Sequence, residues 1–126
     1  MDTTQKTILV VEDEEALLRL LVEEFTAEGY QVLEAKNGVD GLQIALEEHP
    51  DLILLDIIMP RLDGIATLSK LREDPWGKTA RVLILTNLEG DAEKTVSAIE
   101  KGVFEFFVKS RWTLEELKKR VKEKLA

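Results

Sequence analysis

Three acidic residues, Glu12, Asp13 and Asp56, each stand at the end of an apolar run, Ile8–Val11 for the first two and Leu52–Leu55 for the third. Two further runs end in other functional groups: Arg81–Leu85 leads into the hydroxyl of Thr86, and Val103–Val108 into the ammonium of Lys109. An unbroken run such as Leu52–Leu55 reads as a strand buried on both faces, as in a parallel sheet covered by helices. Parallel strands bring their C-terminal ends to one edge, and open α/β sheets bind ligands there. If the first strand neighbours the third, three carboxylates converge. Carboxylates sharing a site shift one another's pKa by ~1–3 units, and a cation relieves the repulsion. Oxygen donors without His or Cys suit a hard ion such as Mg²⁺ rather than zinc. Thr86 and Lys109 suit a group carrying anionic oxygens. The chemistry this set describes is phosphoryl transfer to a carboxylate. Asp56 is then the nucleophile, Mg²⁺ and Lys109 neutralise the transferring charge, and Thr86 with loop amides orients it.

The elements that must position these groups follow from periodicity and punctuation. Thr7–Val11 is a first strand, and Leu17, Leu18, Leu20, Leu21, Val22 and Phe25 recur at helical spacing before a stop at Gly29. Tyr30–Ala35 is a second strand; Asn37 caps a helix that closes at His49-Pro50. After Asp56, Pro60 and Asp63-Gly64 force a loop before a helix carrying Ile65, Leu68 and Leu71, and residues 73–77 form another loop. Arg81–Leu85 is the fourth strand, a helix runs from about Asp91 to Glu100, and Val103–Val108 is the fifth strand. Thr113 and Glu116 have capping-box spacing at the start of a last helix with Leu114, Leu117, Val121 and Leu125 inward. Strands alternating with helices mean right-handed βαβ units around a parallel sheet.

Length and composition set outer limits. The chain of 126 residues is expected to form one domain, residues 1–126 with a core over about 7–125, and to bury roughly two-thirds of its unfolded surface. It is 44% hydrophobic and 33% charged, with a net charge of −8 that argues against direct nucleic-acid binding. The absence of Cys removes disulfides, thiolate zinc sites and a Cys nucleophile. No apolar run approaches membrane-spanning length and the start has no leader pattern, so no membrane contact and a cytoplasmic location are expected. The basic stretch 118–124 suits a helix C-terminus, where the dipole favours cations.

From about Thr7 to Leu125 the chain resembles a response-regulator receiver domain, the phosphoacceptor of two-component signalling. The resemblance is carried by Glu12-Asp13 after the first strand, Asp51 through Pro60 around Asp56, Asp63-Gly64, Thr86, and Phe106 through Lys109, all in order. It implies a flavodoxin-like (βα)5 fold, a doubly wound parallel five-stranded sheet of order 2-1-3-4-5. It implies that Asp56 accepts a phosphoryl group from a histidine kinase or a histidine phosphotransfer protein. Asp13, Asp56 and the backbone carbonyl of Ile58 would bind Mg²⁺, with Glu12 acting through water. The backbone N–H of Asn87 would join Thr86 and Lys109 around the phosphoryl group. Thr86 and Phe106 would form a coupled switch that alters the face built by the fourth helix, the fifth strand and the fifth helix. That face would meet an output protein or a second copy. Such a domain is a switch rather than an enzyme, its only chemistry being its own phosphorylation and slow dephosphorylation.

The sequence departs from the family pattern at three positions. Ser110 stands where Pro usually follows the Lys, Asn87 where a small residue is usual, and Glu12 where Asp is commoner. A cis bond without Pro costs roughly 2.5–4 kcal/mol, so the Lys109-Ser110 junction is expected to be strained or trans. Other readings stay open. Acids after a strand also suit a helix start. A flavin or nucleotide binder needs a Gly- or Ser-rich first loop, and residues 12–15 are all acidic. An aspartyl-phosphate hydrolase would want a second acid at position 58, which is Ile. A receiver-like scaffold that takes no phosphate is the alternative that Ser110 and Asn87 keep in play. His49, the only His, is read as an exposed residue favoured by the helix dipole and is given no chemistry.

Overall fold

The computed structural model describes residues 5–57, 63–86, 105–108 and 113–125, with 86 and 105–108 described as backbone. The strands are β1 (Thr7–Val11), β2 (Gln31–Ala35), β3 (Leu52–Asp56), β4 (Val82–Thr86) and β5 (Glu105–Val108). The helices are α1 (Glu15–Ala27), α2 (Gly38–Glu48), α3 (Gly64–Glu73) and α4 (Leu114–Leu125), with a 3₁₀ turn at Gly77–Thr79. All pairings are parallel and the sheet order is β2-β1-β3-β4-β5. The helix expected over 91–100 lies outside the described residues.

The apolar runs are unbroken because each strand feeds two cores. Successive side chains on a strand point to opposite faces. Leu9, Val11, Ile53, Leu55, Val82 and Ile84 therefore meet Ala45 of α2 and Leu68 and Leu71 of α3 on one face. Ile8, Val10, Leu52, Leu54, Leu83 and Leu85 meet Leu18, Leu21 and Phe25 of α1 and Leu117, Val121 and Leu125 of α4 on the other. Truncating a fully buried residue here, such as Leu54, to Ala would cost about 2–5 kcal/mol. Leu20, one of the apolar residues at helical spacing in α1, is 40% exposed. It follows Leu18 by two positions, a rotation of about 200°, which turns it to the opposite side of the helix.

Local chemistry fixes where the helices begin and end. The Asn37 side chain accepts from the Asp40 N–H at 2.9 Å, and Asp63 accepts from the Ala66 N–H at 2.9 Å. Thr113 and Glu116 form the reciprocal pair expected of a capping box, with Glu116 N–H to Thr113 Oγ1 at 3.2 Å and Thr113 N–H to Glu116 Oε1 at 2.9 Å. After α1, Gly29 takes φ +100°, a value open to glycine at little cost. His49 ends α2 in the left-handed region at φ 49°, ψ 59°, where Gly or Asn is usual. Its ring stacks on Trp76 with centroids 4.3 Å apart and planes 9° from parallel, which ties the end of α2 to the α3–β4 connection. Spacing alone gave no sign of that contact.

α1 and α4 are also joined by charge. Lys118 Nζ lies 2.6 Å from Glu24, with Glu115 at 3.7 Å and Glu28 at 3.9 Å, and its side chain is only 15% exposed. The hydrogen bond to Glu24 holds the Lys118 pKa above its ordinary value. Burial, with Glu28 nearby, likewise raises the Tyr30 phenol. Both groups thus favour folding in their protonated forms, and that contribution is complete below the unfolded pKa values of about 10. Stability should therefore fall as pH rises above about 10, and Lys118→Met should flatten part of that fall in urea midpoints. An unchanged slope in Lys118→Met would contradict the assignment.

Candidate functional site

The register of the sheet builds the site. Val11 pairs with Leu55 across β1 and β3, so the next residues, Glu12 and Asp56, leave the two central strands side by side. One carboxylate oxygen from each of Glu12, Asp13 and Asp56 falls within 4.8 Å of the others. Glu12 is fully buried and Asp56 is 4% exposed, whereas Asp13 is exposed at the mouth. The convergence that the sequence made conditional on neighbouring strands is thus present in the fold.

The backbone and the first loop hold these groups in place. The Glu12 N–H donates to the Ala35 carbonyl at 3.0 Å, which fastens the end of β1 to β2. Glu12 Oε2 accepts from the Glu14 N–H at 3.0 Å, so an amide of the first loop is already taken by a carboxylate. That geometry, with Asp13, Glu14 and Glu15 exposed beside it, opposes a nucleotide phosphate in this loop. At the rim Glu15 pairs with Lys36 and Arg19, each at 2.9 Å, and these hydrogen bonds draw its pKa below the usual carboxylate value. The Lys36–Glu15 pair ties the β2–α2 loop to the start of α1, a contact no spacing rule announced.

The remaining predicted residues sort by where β4 and β5 end. Asp56 pairs with Leu85, and Thr86 follows as the last residue of β4, level with Val108 of β5. The backbone therefore brings Thr86 to the same sheet edge as Asp56. Phe106 pairs with Ile84 one step inside that edge. Ile58, Asn87, Lys109 and Ser110 lie outside the described residues.

The donor set fits a hard divalent cation. All three groups offer carboxylate oxygens, and among the described residues they form the only such cluster. Mg²⁺ at about 2.0–2.1 Å from each ligand spans oxygens up to ~4.2 Å apart. A spread of up to 4.8 Å therefore accommodates the ion with one of the three groups acting through water.

Comparison with known proteins agrees with this arrangement. The family described as response regulator receiver domain matches residues 8–122. The response regulator PleD of Caulobacter vibrioides is 40% identical over 102 residues, 81% of this chain and 22% of PleD. A response regulator receiver domain protein from Clostridium thermocellum superposes with a TM-score of 0.85 at 28% identity, covering 95% of this chain and 94% of that one. TrrA of Thermotoga maritima, a response regulator protein solved in complex with Mg(2+)-BeF, gives a TM-score of 0.81 at 33% identity, covering 95% of this chain and 99% of that one. The chain belongs to the response regulator receiver domain family, and its fold is the flavodoxin-like fold of that family. Receivers of this kind are signalling switches of two-component systems rather than conventional enzymes. The chain spans 22% of PleD and about half of the ycf27 regulators that it also matches. Among the described residues no helix is long and apolar enough to cross a membrane.

Close like charges have a measurable cost. In chelator and at low salt, Asp13→Asn should stabilise the fold by about 1 kcal/mol, because one exposed charge leaves the cluster. MgCl2 should then raise the thermal midpoint of the parent more than that of the variant. A midpoint lowered by Asp13→Asn under these conditions would show that the three carboxylates do not repel one another.

Proposed function

We propose that residues 1–126 form one receiver domain that accepts a phosphoryl group on Asp56 in a Mg²⁺-dependent reaction. The observation that carries this reading is the convergence of three carboxylates on a buried Asp56 at the ligand-binding edge of the sheet. Glu12, Asp13 and Asp56, with the carbonyl of Ile58, would hold the ion. That TrrA, a similar response regulator, is solved in complex with Mg(2+)-BeF supports Mg²⁺ as the ion. When bound, the ion supplies positive charge against the oxygens of the transferring group.

This chain's own residues do the rest. A carboxylate oxygen of Asp56 attacks phosphorus, forming the O–P bond as the P–N bond of a phosphohistidine donor breaks and its electron pair returns to the imidazole. The Lys109 ammonium, the Thr86 hydroxyl and the Asn87 N–H take the phosphoryl oxygens, so that most of the catalysis is positioning and charge. Attack of water on the same phosphorus releases inorganic phosphate and restores Asp56. The donor is a histidine kinase or a histidine phosphotransfer protein. The new dianion favours one of two arrangements of Thr86 and Phe106, and the face made by the helix expected over 91–100, β5 and α4 passes this on to an output partner or a second copy.

Incubation with acetyl phosphate and Mg²⁺, read by intact-protein mass, tests the reading. One phosphoryl adduct is expected, lost when EDTA is present and absent from Asp56→Asn. An adduct that persists in Asp56→Asn would contradict the proposal. So would no adduct in either the parent or Asn87→Ala, a pair of results that leaves the receiver-like scaffold as the reading.

A further inference from the structure

The first turn of α3 lies directly on the backbone of the acceptor. A Cβ built at Gly64 would run into the carbonyl oxygen of Asp56 and come within 2.6 Å of the Ile57 Cα. Both are backbone atoms, so no side-chain rotation can make room. The Gly64 N–H donates to the Ile57 carbonyl at 2.7 Å, and on the other side the Ile57 N–H donates to the Leu85 carbonyl at 3.3 Å. The peptide leaving Asp56 is thus held between β4 and the start of α3. That start is itself fastened: Asp63 caps Ala66 at 2.9 Å, and the buried Thr67 donates from its hydroxyl to the Asp63 carbonyl at 2.9 Å.

We propose that Gly64 is a positioning residue for Asp56, its missing side chain letting α3 press on the acceptor's own carbonyl and fix the direction of the carboxylate. The inference rests on Asp56 being the phosphoryl acceptor and metal ligand. Asp56 is the last residue of β3. Beyond it, the aim of the carboxylate depends on what holds the chain after the ladder ends, and Gly64 is that contact on the α3 side, opposite the Ile57–Leu85 bond. A shift of the Asp56 backbone would move its oxygen away from Glu12 and Asp13. Residues that orient a metal ligand typically change metal affinity about 10–100-fold when altered.

A second glycine supplies the control. At Gly77 an added Cβ would also strike a backbone carbonyl oxygen, that of Leu71, but Gly77 precedes β4 and so lies at the opposite edge of the sheet. Gly64→Ala and Gly77→Ala should both lower the thermal midpoint. Only Gly64→Ala should weaken Mg²⁺ binding, by about tenfold or more in calorimetric titration, and slow acetyl phosphate labelling in step, at a temperature where both variants are folded. Parental Mg²⁺ affinity in folded Gly64→Ala, or an equal loss in Gly77→Ala, would overturn the proposal. If Gly64→Ala does not fold, Asp63→Ala loosens the same turn without adding an atom, and parental Mg²⁺ affinity there would overturn it equally. A parent that takes neither Mg²⁺ nor phosphoryl would instead sink the reading of Asp56 on which this inference stands.

Discussion

The parallel pairing of β1 with β3 is the constraint on which the rest of the structure depends. With Val11 level with Leu55, the chain has no way to keep Glu12 and Asp56 apart once the strands end. Carboxylates within 4.8 Å of one another are neighbours that disfavour each other's charge. Fully burying one Leu or Ile side chain returns about 1.5–3 kcal/mol. The two cores, each with a dozen buried residues, are the support on which that edge is built. The site gathers like charge on a firmly packed support, and a bound cation would relieve the repulsion.

The same geometry explains why the surrounding loops are tied down so closely. Glu12 is fixed by Ala35 and by the Glu14 amide, and the β2–α2 loop by the Lys36–Glu15 pair. The turn after Asp56 is closed by Gly64 and the Asp63 cap. These contacts tie the ends of the central strands to the loops that follow them. Preorganised charges of this kind would need little rearrangement in the proposed phosphoryl transfer.

Much of this was legible in the sequence because period and punctuation agree. The runs at Thr7–Val11 and Leu52–Asp56 are the strands observed, and Asn37, Gly29 and the Thr113–Glu116 pair mark helix ends as their chemistry demands. The order β2-β1-β3-β4-β5, which the resemblance implied, is the order found. What did not show was contact between residues far apart in sequence. The His49–Trp76 stack, the Lys118 cluster and the Lys36–Glu15 pair are tertiary events with no periodic signature. Leu20 shows that an apolar residue can lie off the inward stripe, since its two-residue offset from Leu18 turns it outward. Asp63-Gly64 read only as a loop former, since a missing Cβ acquires meaning when the neighbouring carbonyl is known. The roles given to Thr86, Phe106, Lys109, Asn87 and Ile58 come from their order along the chain and from the family, with backbone register placing the first two.

The central claim is that one oxygen of Asp56 carries the phosphoryl group, and locating the modified residue tests it most directly. Borohydride reduces an acyl phosphate on aspartate to homoserine, which peptide mass spectrometry reads residue by residue. After reaction with acetyl phosphate and Mg²⁺, homoserine at position 56 and nowhere else is the predicted result. Reduction at Asp13, or an acid-stable phosphate on Thr86 in place of any reducible residue, would contradict the account.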